Sequence, residues 1–363
     1  MIYIMNRTNN INTNMNTNMN TNINMNKFKI GIVGVRGLVG KTLLRILCEN
    51  GYGSNIKVCA SDANIGIDII IDNYVFTLIK LDIDFFNNLD VIFFCADTKT
   101  SLKWIPKINK KKVLIIDNSS AFRLNDNVPL IIPEINSNLI ANSYGVVSNP
   151  NCCATLLCMV LYPLLQLSNI KRVDVSTYQS VSGAGIGGII ELENQTIEVV
   201  KNEPITKKIF KSQIYGNCFS HNTDIDINTG YCEEELKICN ETKKILSNIL
   251  EISATCIRIG VFTSHSESVK IVFENSVDEC DLRNALNNFK GVVIVDDRIN
   301  NIFPEPINTS GKTDVFVGRI RKDLYDQSGK TYNLFLCGDQ LLKGASYNSY
   351  QIFKKYEELS KYS

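Results

Sequence analysis

Two adjacent cysteines, Cys152 and Cys153, stand between Asn-Pro-Asn and an apolar run in SNPNCCATLLCMVLYPLL, residues 148–165. The apolar run predicts a helix from about Cys153 to Leu167, which puts Cys152 at its N-terminus. Unpaired backbone N–H groups and the helix dipole stabilise a thiolate at such a position. Cys153 is expected to face the core, because free cysteine usually behaves as a small apolar residue. The position therefore predicts that Cys152 is the nucleophile of the pair.

A cysteine nucleophile needs an acid–base partner, which is most often histidine. The chain contains 2 histidines. His221 lies in the polar, loop-like stretch CFSHNTDIDINTG, and we expect it to be a solvated surface residue. His265 lies in a Thr-Ser turn between two predicted strands, so we expect it to be the partner of Cys152.

A glycine-rich turn follows the first apolar strand in KFKIGIVGVRGLVGKTLLRIL, which begins at Lys27. Gly34, Gly37 and Gly40 are three residues apart, and leucines at helical spacing follow. A strand, a glycine turn and a helix in this order direct backbone N–H groups at a dinucleotide pyrophosphate. The same pattern also fits a glycine-capped turn without a cofactor. Arg36 favours phosphate binding, because its guanidinium would otherwise be unpaired in the turn.

The remaining apolar runs predict an α/β protein with two different sheets. NIKVCAS, LDVIFFCAD and KKVLIIDNSS fit a parallel, Rossmann-type sheet with intervening helices. Beyond the cysteine pair, longer strand-like segments predict an α+β domain with a large, mostly antiparallel sheet. The predicted units are a disordered Asn-rich extension (1–26), a dinucleotide-binding domain (27–151), a catalytic and dimerisation domain (152–340), and a C-terminal helix that returns to the nucleotide-binding domain (341–363).

Composition limits the partners and the location of the chain. The first 26 residues carry a single charged side chain and cannot bury enough apolar surface to order themselves. A net charge of +1 over 363 residues gives no electrostatic case for nucleic acid or an anionic membrane surface. No apolar run reaches the roughly 18 residues that span a bilayer. The 12 scattered cysteines lack a C-x-x-C pair, which predicts free thiols in the cytoplasm and no metal site.

Several longer motifs together resemble the aspartate-β-semialdehyde dehydrogenase family. They run in order from Lys27 to the C-terminal helix and comprise DNSSAFR, IPEIN, SNPNC, YQSVSGAG, CIRIGVFTSHSESV, FVGRIRKDL and KGASYNS. The resemblance implies an NADP-dependent reduction of L-aspartyl-4-phosphate to aspartate semialdehyde and phosphate. This step serves the biosynthesis of lysine, threonine, methionine, isoleucine and diaminopimelate. The resemblance also implies a homodimer or homotetramer that acts on a small-molecule substrate.

The resemblance implies specific roles for the residues that carry the reaction. Cys152 attacks the acyl phosphate and forms a thioester, which hydride transfer reduces through a thiohemiacetal. His265 is the acid–base partner. Gln179, in YQSVSGAG, orients the acyl group beside the sulfur.

Other residues are implied to bind the charged ends of the substrate. Arg258 clamps the carboxylate, a planar anion that suits a bidentate guanidinium. Glu234 faces the amino group, and the phosphate ligands are Arg123, Asn151 and Lys237. On spacing alone, Glu234 and Lys237 fit an ordinary i,i+3 ion pair on a helix surface equally well.

The cofactor site departs from the family pattern at two places. The implied contacts are Gly34, Arg36, Gly37, Leu38, Val39, Gly40, Ser61, Asn64, Ser182, Gly183 and Gln340. NADP-dependent members usually carry an arginine after the second strand for the 2′-phosphate, whereas this chain has Ala-Ser-Asp-Ala-Asn at 60–64. Asp62 suits a ribose 2′-hydroxyl, so NADP is implied and NAD stays open. Gln340 stands where the family usually has asparagine.

Other assignments stay open on the sequence. N-acetyl-γ-glutamyl-phosphate reductase shares the layout, but its acylated substrate has no ammonium group for Glu234 to bind. A glyceraldehyde-phosphate-type dehydrogenase fits YQSVSGAG and HSESV less well. A non-catalytic relative of the same fold is disfavoured, because it would have no reason to keep Cys152, Gln179, Arg258 and His265 together.

Overall fold

The structure, a computed structural model, describes residues 28–60, 64–109, 113–141 and 145–360. The predicted disordered extension at 1–26 lies outside the described residues, and so do Ser61 and Asp62 of the predicted cofactor site. The described strands form a six-stranded sheet, a seven-stranded sheet and a two-stranded hairpin.

The first sheet is built from short apolar strands. The first eight strands of the chain are β1 (Ile30–Val33), β2 (Ile56–Ala60), β3 (Asp68–Ile71), β4 (Tyr74–Thr77), β5 (Ile79–Lys80), β6 (Val91–Phe94), β7 (Leu114–Asp117) and β8 (Val146–Ser148). The six-stranded order is β5-β2-β1-β6-β7-β8, and every pair is parallel. Strands β1, β6 and β7 are buried along their whole length, which explains their continuous apolar sequences. The prediction of a parallel, Rossmann-type sheet is confirmed.

The second sheet is larger and has mixed strand directions. Its strands are β9 (Ile170–Gln179), β10 (Cys218–Ser220), β11 (Glu251–Ile259), β12 (His265–Phe273), β13 (Val292–Ile294), β14 (Val315–Lys322) and β15 (Thr331–Gly338). The order is β10-β11-β9-β12-β15-β14-β13. Pairs β11–β9 and β13–β14 are parallel, and the other pairs are antiparallel. The predicted mostly antiparallel sheet is confirmed.

Nine α-helices lie in the described part of the chain. They are α1 (Leu38–Glu49), α2 (Thr98–Trp104), α3 (Pro133–Asn136), α4 (Cys152–Leu165), α5 (Gly185–Val200), α6 (Glu233–Leu246), α7 (Glu279–Asn287), α8 (Pro306–Thr309) and α9 (Tyr347–Leu359). Helix α9 packs on the first sheet: Ile352 and Phe353 are fully buried in one core with Ile30 of β1. The ring of Phe353 contacts Phe28 edge-on, with 5.6 Å between the ring centroids. No helix among the described residues is both long and apolar enough to cross a membrane.

Helix α4 links the two sheets. The chain leaves β8 of the first sheet through Asn-Pro-Asn and enters α4 at Cys152, one residue before the predicted start. Apolar residues on all sides of α4 pack into the core of the second sheet, which makes it a central helix. Asn151 caps α4: its Oδ1 accepts hydrogen bonds from the backbone N–H groups of Cys153 at 2.9 Å and Ala154 at 3.2 Å. Cys152 therefore has a fixed position where the two sheets meet.

Candidate active site

Cys152 and its neighbours form a compact cluster. The two thiol sulfurs of Cys152 and Cys153 and a ring nitrogen of His265 all lie within 4.8 Å of one another. Cys152 is partly exposed, whereas Cys153 and His265 are fully buried. The adjacent Cys153 thiol and the nearby His265 hold the pKa of the Cys152 thiol well below its usual value, against the effect of burial. Burial, and then Cys152 itself, raise the pKa of Cys153. The negative charge of the pair therefore resides on Cys152.

His265 begins β12, and one of its ring nitrogens is held by the backbone. Nδ1 accepts a hydrogen bond of 3.1 Å from the backbone N–H of Ser180. Nε2 is buried and has no hydrogen-bond partner among the described residues. Because Nδ1 is an acceptor, the neutral ring carries its proton on Nε2. The free N–H is thus available to the sulfur of Cys152 or to an oxygen formed beside it.

Arg258, on β11, is a buried cation with one unused donor. It is 2% exposed. One terminal nitrogen, Nη1, donates to the carbonyl oxygen of Ser180 at 2.6 Å, and Nη2 lies 2.6 Å from Nε2 of His221. Nε has no partner among the described residues. A buried guanidinium with an unpaired N–H can accept a carboxylate at low cost, because the carboxylate satisfies that donor.

The expectation that His221 is a solvated surface residue is wrong. His221 is 8% exposed, and its Nε2 accepts from Arg258. Burial, and then the positive charge of Arg258, lower the pKa of His221 to about 4, so the ring is neutral near pH 7. Its Nδ1 lies 3.2 Å from the hydroxyl oxygen of Thr223, which accepts a 3.2 Å hydrogen bond from the backbone N–H of Glu234. His221 and Thr223 therefore connect the two residues predicted to bind the ends of the substrate.

Glu234 is a buried carboxylate at the start of α6. It is 7% exposed, and its Oε1 accepts hydrogen bonds from Asn151 at 2.8 Å and from Gln179 at 3.1 Å. Burial opposes ionisation, but the bond from Asn151, the charge of Lys237 and the bond from Gln179 contribute to lowering the pKa of Glu234. Gln179 is held in turn by Thr177, whose hydroxyl donates to its Oε1 at 3.2 Å. The carboxylate is thus ionised beside the predicted acyl-orienting residue.

The predicted phosphate ligands meet at one face of α6. Lys237 and Glu241 lie three and seven residues after Glu234, so all three share that face. Glu241 is 1% exposed and accepts from Nη1 of Arg123 at 3.1 Å and from the backbone N–H of Asn151 at 2.5 Å. Lys237 forms an ion pair of 2.7 Å with Glu233, the residue before Glu234, and not with Glu234 itself. Arg123, Asn151 and α6 are therefore adjacent, with Glu241 between them.

The glycine turn after β1 has the form of a dinucleotide cradle. Gly34 has a φ of +85°, and a Cβ there would lie 2.8 Å from the backbone nitrogen of Ala96. A Cβ on Gly40 would lie 2.5 Å from the carbonyl oxygen of Gly34, so α1 begins directly against the turn. Strand β1 lies between β2 and β6, where the strand order reverses and such sheets bind their ligands. The exposed Arg36 donates to the side chain of Asn64, which brings two predicted cofactor residues together.

The predicted nicotinamide side of the site is close-packed. The side-chain amide of Gln340 donates to the hydroxyl of Ser182 and accepts from the backbone N–H of Ser264 at 2.8 Å. A Cβ on Gly183 would lie 3.0 Å from Nη1 of Arg258 and 3.3 Å from Nε2 of His265. Any side chain at Gly183 would therefore press on both groups.

A C-terminal segment, residues 342–346, also enters the site, and the sequence did not predict this. A Cβ on Gly344 would lie 2.8 Å from Cβ of Cys152. The hydroxyl of Ser346 donates to the carbonyl oxygen of Val39 in α1 at 2.8 Å. This segment therefore connects the nucleophile with the cofactor turn. The segment lies within KGASYNS, one of the motifs that resemble the family, but the residue pattern of this motif does not predict its contacts with Cys152 and Val39.

The two sheets and their sites match two known domains. The family model described as semialdehyde dehydrogenase, NAD binding domain matches residues 29–143, and the model described as semialdehyde dehydrogenase, dimerisation domain matches residues 161–343. The fold and the cysteine–histidine site thus define an oxidoreductase of the semialdehyde dehydrogenase class.

Individual relatives identify the family within this class of oxidoreductases. Aspartate-semialdehyde dehydrogenase from Prochlorococcus marinus is 38% identical over 89% of this chain and 94% of its own, and that from Bacillus subtilis is 34% identical over 91% and 98%. This chain belongs to the aspartate-semialdehyde dehydrogenase family. The crystal structure of aspartate semialdehyde dehydrogenase II from Vibrio cholerae, complexed with ASA, is 31% identical with a TM-score of 0.84, and covers 91% of this chain and 98% of that one.

Proposed function

We propose that this chain reduces L-aspartyl-4-phosphate to L-aspartate 4-semialdehyde and phosphate through a thioester on Cys152. The lowered pKa of the Cys152 thiol, beside a histidine with a free Nε2, carries this proposal. A thiolate attacks acyl carbons, whereas a buried thiol does not. The reaction would serve the biosynthesis of lysine, threonine, methionine, isoleucine and diaminopimelate.

The charges around Cys152 match the two ends of an amino acid. Arg258 offers its unpaired Nε to the α-carboxylate, and Glu234 offers its ionised carboxylate to the α-ammonium group. His221 and Thr223 hold these two groups at a constant separation. An N-acylated glutamyl phosphate would place a neutral amide against Glu234 and would leave that buried charge without a partner. This difference supports the aspartyl substrate over the alternative.

The chemistry follows from the positions of three side chains. The thiolate of Cys152 attacks the acyl carbon, a C–S bond forms, the C–O bond to phosphate breaks, and phosphate leaves. When bound, the nicotinamide dinucleotide supplies the hydride that reduces the thioester. His265 donates from Nε2 to the oxygen that becomes negative, and takes the proton back when the sulfur is expelled. Gln179, 1% exposed, orients the acyl group.

Phosphate is proposed to leave along the face of α6. Arg123, Asn151 and Lys237 are the proposed ligands. Burial raises the pKa of Glu241, which accepts hydrogen bonds from both Arg123 and the backbone N–H of Asn151 and so holds these two ligands side by side. Lys237 is partly exposed on the same helix face and adds a positive charge.

The cofactor is proposed to be NADP, held by the turn from Gly34 to Gly40 and by Ser182, Gly183 and Gln340. The absence of side chains at Gly34 and Gly40 lets the turn pack directly against the start of α1, and the N–H groups of a helix N-terminus suit a pyrophosphate. The segment after β2 lacks an arginine, but Arg36 reaches Asn64 from the turn and brings a guanidinium to that edge. A guanidinium suits a 2′-phosphate better than a 2′-hydroxyl.

Domain boundaries, oligomeric state and cellular location can be proposed as well. We propose the division into 27–151, 152–340 and 341–363, a homodimer or homotetramer, and a cytoplasmic location. The match to a dimerisation domain at residues 161–343 supports an oligomer. The 12 scattered cysteines without a C-x-x-C pair support a reducing compartment.

Steady-state kinetics in the oxidative direction test the function. Aspartate semialdehyde, phosphate and NADP should give reduced cofactor with wild-type protein, and Cys152→Ala should abolish this activity while keeping the wild-type melting temperature. N-acetylglutamate semialdehyde should be a poor substrate. Equal or better turnover of the N-acetylated compound would replace the proposed substrate with the alternative.

A further inference from the structure

Strand β12 carries a second buried polar residue on the face that holds His265. His265 and Glu267 are two residues apart on β12, so their side chains point to the same face of the sheet. That face packs on α4, since Val269, Ile271 and Phe273 lie in one core with Cys153. The first two residues of α4 are Cys152 and Cys153.

Glu267 is an acidic residue in an apolar place. It is 0% exposed, and neither of its side-chain oxygens has a hydrogen-bond partner among the described residues. Burial, followed by the charge of Cys152, raises the pKa of Glu267 well above its usual value. Its partners on the two neighbouring strands, Thr177 and Leu336, carry no positive charge that could pair with it. Glu267 is therefore a neutral carboxylic acid whose O–H can be donated.

Cys153 is a buried thiol next to the nucleophile. Its sulfur is within 4.8 Å of the sulfur of Cys152, and it is 0% exposed. Burial, and then the adjacent Cys152, disfavour the ionisation of Cys153, so it keeps its proton. A buried thiol beside a thiolate is a donor with one charged acceptor in reach.

We propose that Cys153 is a positioning residue: its S–H donates a hydrogen bond to the Cys152 thiolate, whose sulfur lies within 4.8 Å, and the buried, protonated Glu267 adds no second negative charge to these surroundings. This arrangement rests on the proposed role of Cys152 as the nucleophile. It stabilises the sulfur when it is charged, both before attack and when the thiohemiacetal expels it. The acylated sulfur carries no charge, so the bond is weaker in the thioester.

Other charged groups face the same sulfur and must be kept constant in any test. They are His265 on β12, Glu234 on α6 and Arg258 on β11. None of them is altered by substitution at Cys153 or Glu267. A change in the titration of Cys152 in those variants therefore reports on the hydrogen bond from Cys153 or on the charge of Glu267.

Substitutions at Cys153 separate a donor from a packing residue. Cys153→Ser keeps an O–H donor, whereas Cys153→Ala keeps an apolar side chain without one. If Cys153 only fills space, alanine is the milder change and neither variant alters the titration of Cys152. If it donates, serine preserves the low pKa of Cys152 and alanine does not.

The measurement is the rate of alkylation of Cys152 by iodoacetamide as a function of pH, with the modified peptide identified by mass spectrometry. We expect Cys153→Ala to move the midpoint upward by about one to two pH units, and Cys153→Ser to leave it close to that of wild type. Superimposable profiles for wild type and Cys153→Ala would overturn the donor role. Melting temperatures confirm that each variant is folded.

Glu267→Gln tests the acid. Glutamine is neutral, like the protonated acid, and similar to it in size, so the midpoint should stay close to that of wild type. A clearly lower midpoint in Glu267→Gln would mean that a negative charge had been removed, which contradicts a neutral Glu267. The assay needs no substrate. Failure of the proposed function itself would be recognised separately, because Cys152→Ala would then retain the fast-reacting thiol.

Discussion

Nε2 of His221 lies 2.6 Å from Nη2 of Arg258, and both side chains are buried. The ring is neutral, so it accepts a hydrogen bond from the guanidinium and does not repel it. Through Thr223, the same ring is linked to the backbone of Glu234. His221 thus holds Arg258 and Glu234, the two proposed substrate ligands, in fixed relative positions.

His221→Ala should therefore weaken substrate binding more than chemistry. Without its acceptor, Arg258 can turn away from the carboxylate position, and we expect KM for aspartate semialdehyde to rise about tenfold with kcat little changed. Steady-state kinetics measure both constants. Cys218→Ala, at an exposed position of the adjacent strand β10, is the matched control. A loss confined to kcat would show that His221 acts on the reaction and not on Arg258.

Acid stability should also depend on His221. Its pKa is about 4 in the folded chain, below the usual 6.5, so the unfolded state binds more protons between these values. The neutral His221 ring therefore contributes to the free energy of unfolding above pH 6.5. This contribution, roughly 3 kcal/mol in total, is lost as the pH falls from 6.5 towards 4. Urea unfolding of wild type and His221→Asn across this range measures it. The variant should lose less stability than wild type, and parallel curves would contradict the low pKa.

Glu234→Gln should remove the preference for an amino group. Glutamine keeps an oxygen that can accept from Asn151 and Gln179, so the substitution removes the charge and keeps an acceptor for these bonds. We expect the ratio of kcat/KM for aspartate semialdehyde to that for succinate semialdehyde, which lacks the amino group, to fall roughly a hundredfold. An unchanged ratio would remove Glu234 from ammonium binding.

Arg36→Gln tests the cofactor assignment. If Arg36 serves a 2′-phosphate beside Asn64, kcat/KM for NADP should fall about tenfold and that for NAD should change little. Lys41→Gln, an exposed charge one turn into α1, is the control for a general loss of positive potential. Wild-type protein that prefers NAD, or an equal loss with both cofactors, would contradict a specific contact with the 2′-phosphate.

The sequence was sufficient for features that depend on local patterns. Continuous apolar runs predicted the parallel strands, and Gly34, Gly37 and Gly40 predicted the turn after β1. The start of α4 at Cys152 was predicted to within one residue, because an apolar run after Asn-Pro-Asn has few alternatives. The mostly antiparallel second sheet followed from longer strand-like segments.

Features that depend on strand register or on contacts between distant chain segments could not be predicted from the sequence. His221 looks like a loop residue, and only the pairing of β10 with β11 brings it to Arg258. Gly344 and Ser346 reach the site because the chain returns from β15 towards the first sheet. Glu267 resembles a surface residue within HSES, and its burial follows from its face of a central strand.

Formation of an acyl-enzyme on Cys152 tests the central claim most directly. Aspartate semialdehyde and oxidised NADP, mixed with the enzyme in the absence of phosphate, should give a burst of one reduced cofactor per active site. Intact and peptide mass spectrometry should place one aspartyl group on Cys152, and Cys152→Ser should show neither burst nor adduct. An adduct on Cys153, or a full burst in Cys152→Ser, would contradict Cys152 as the nucleophile.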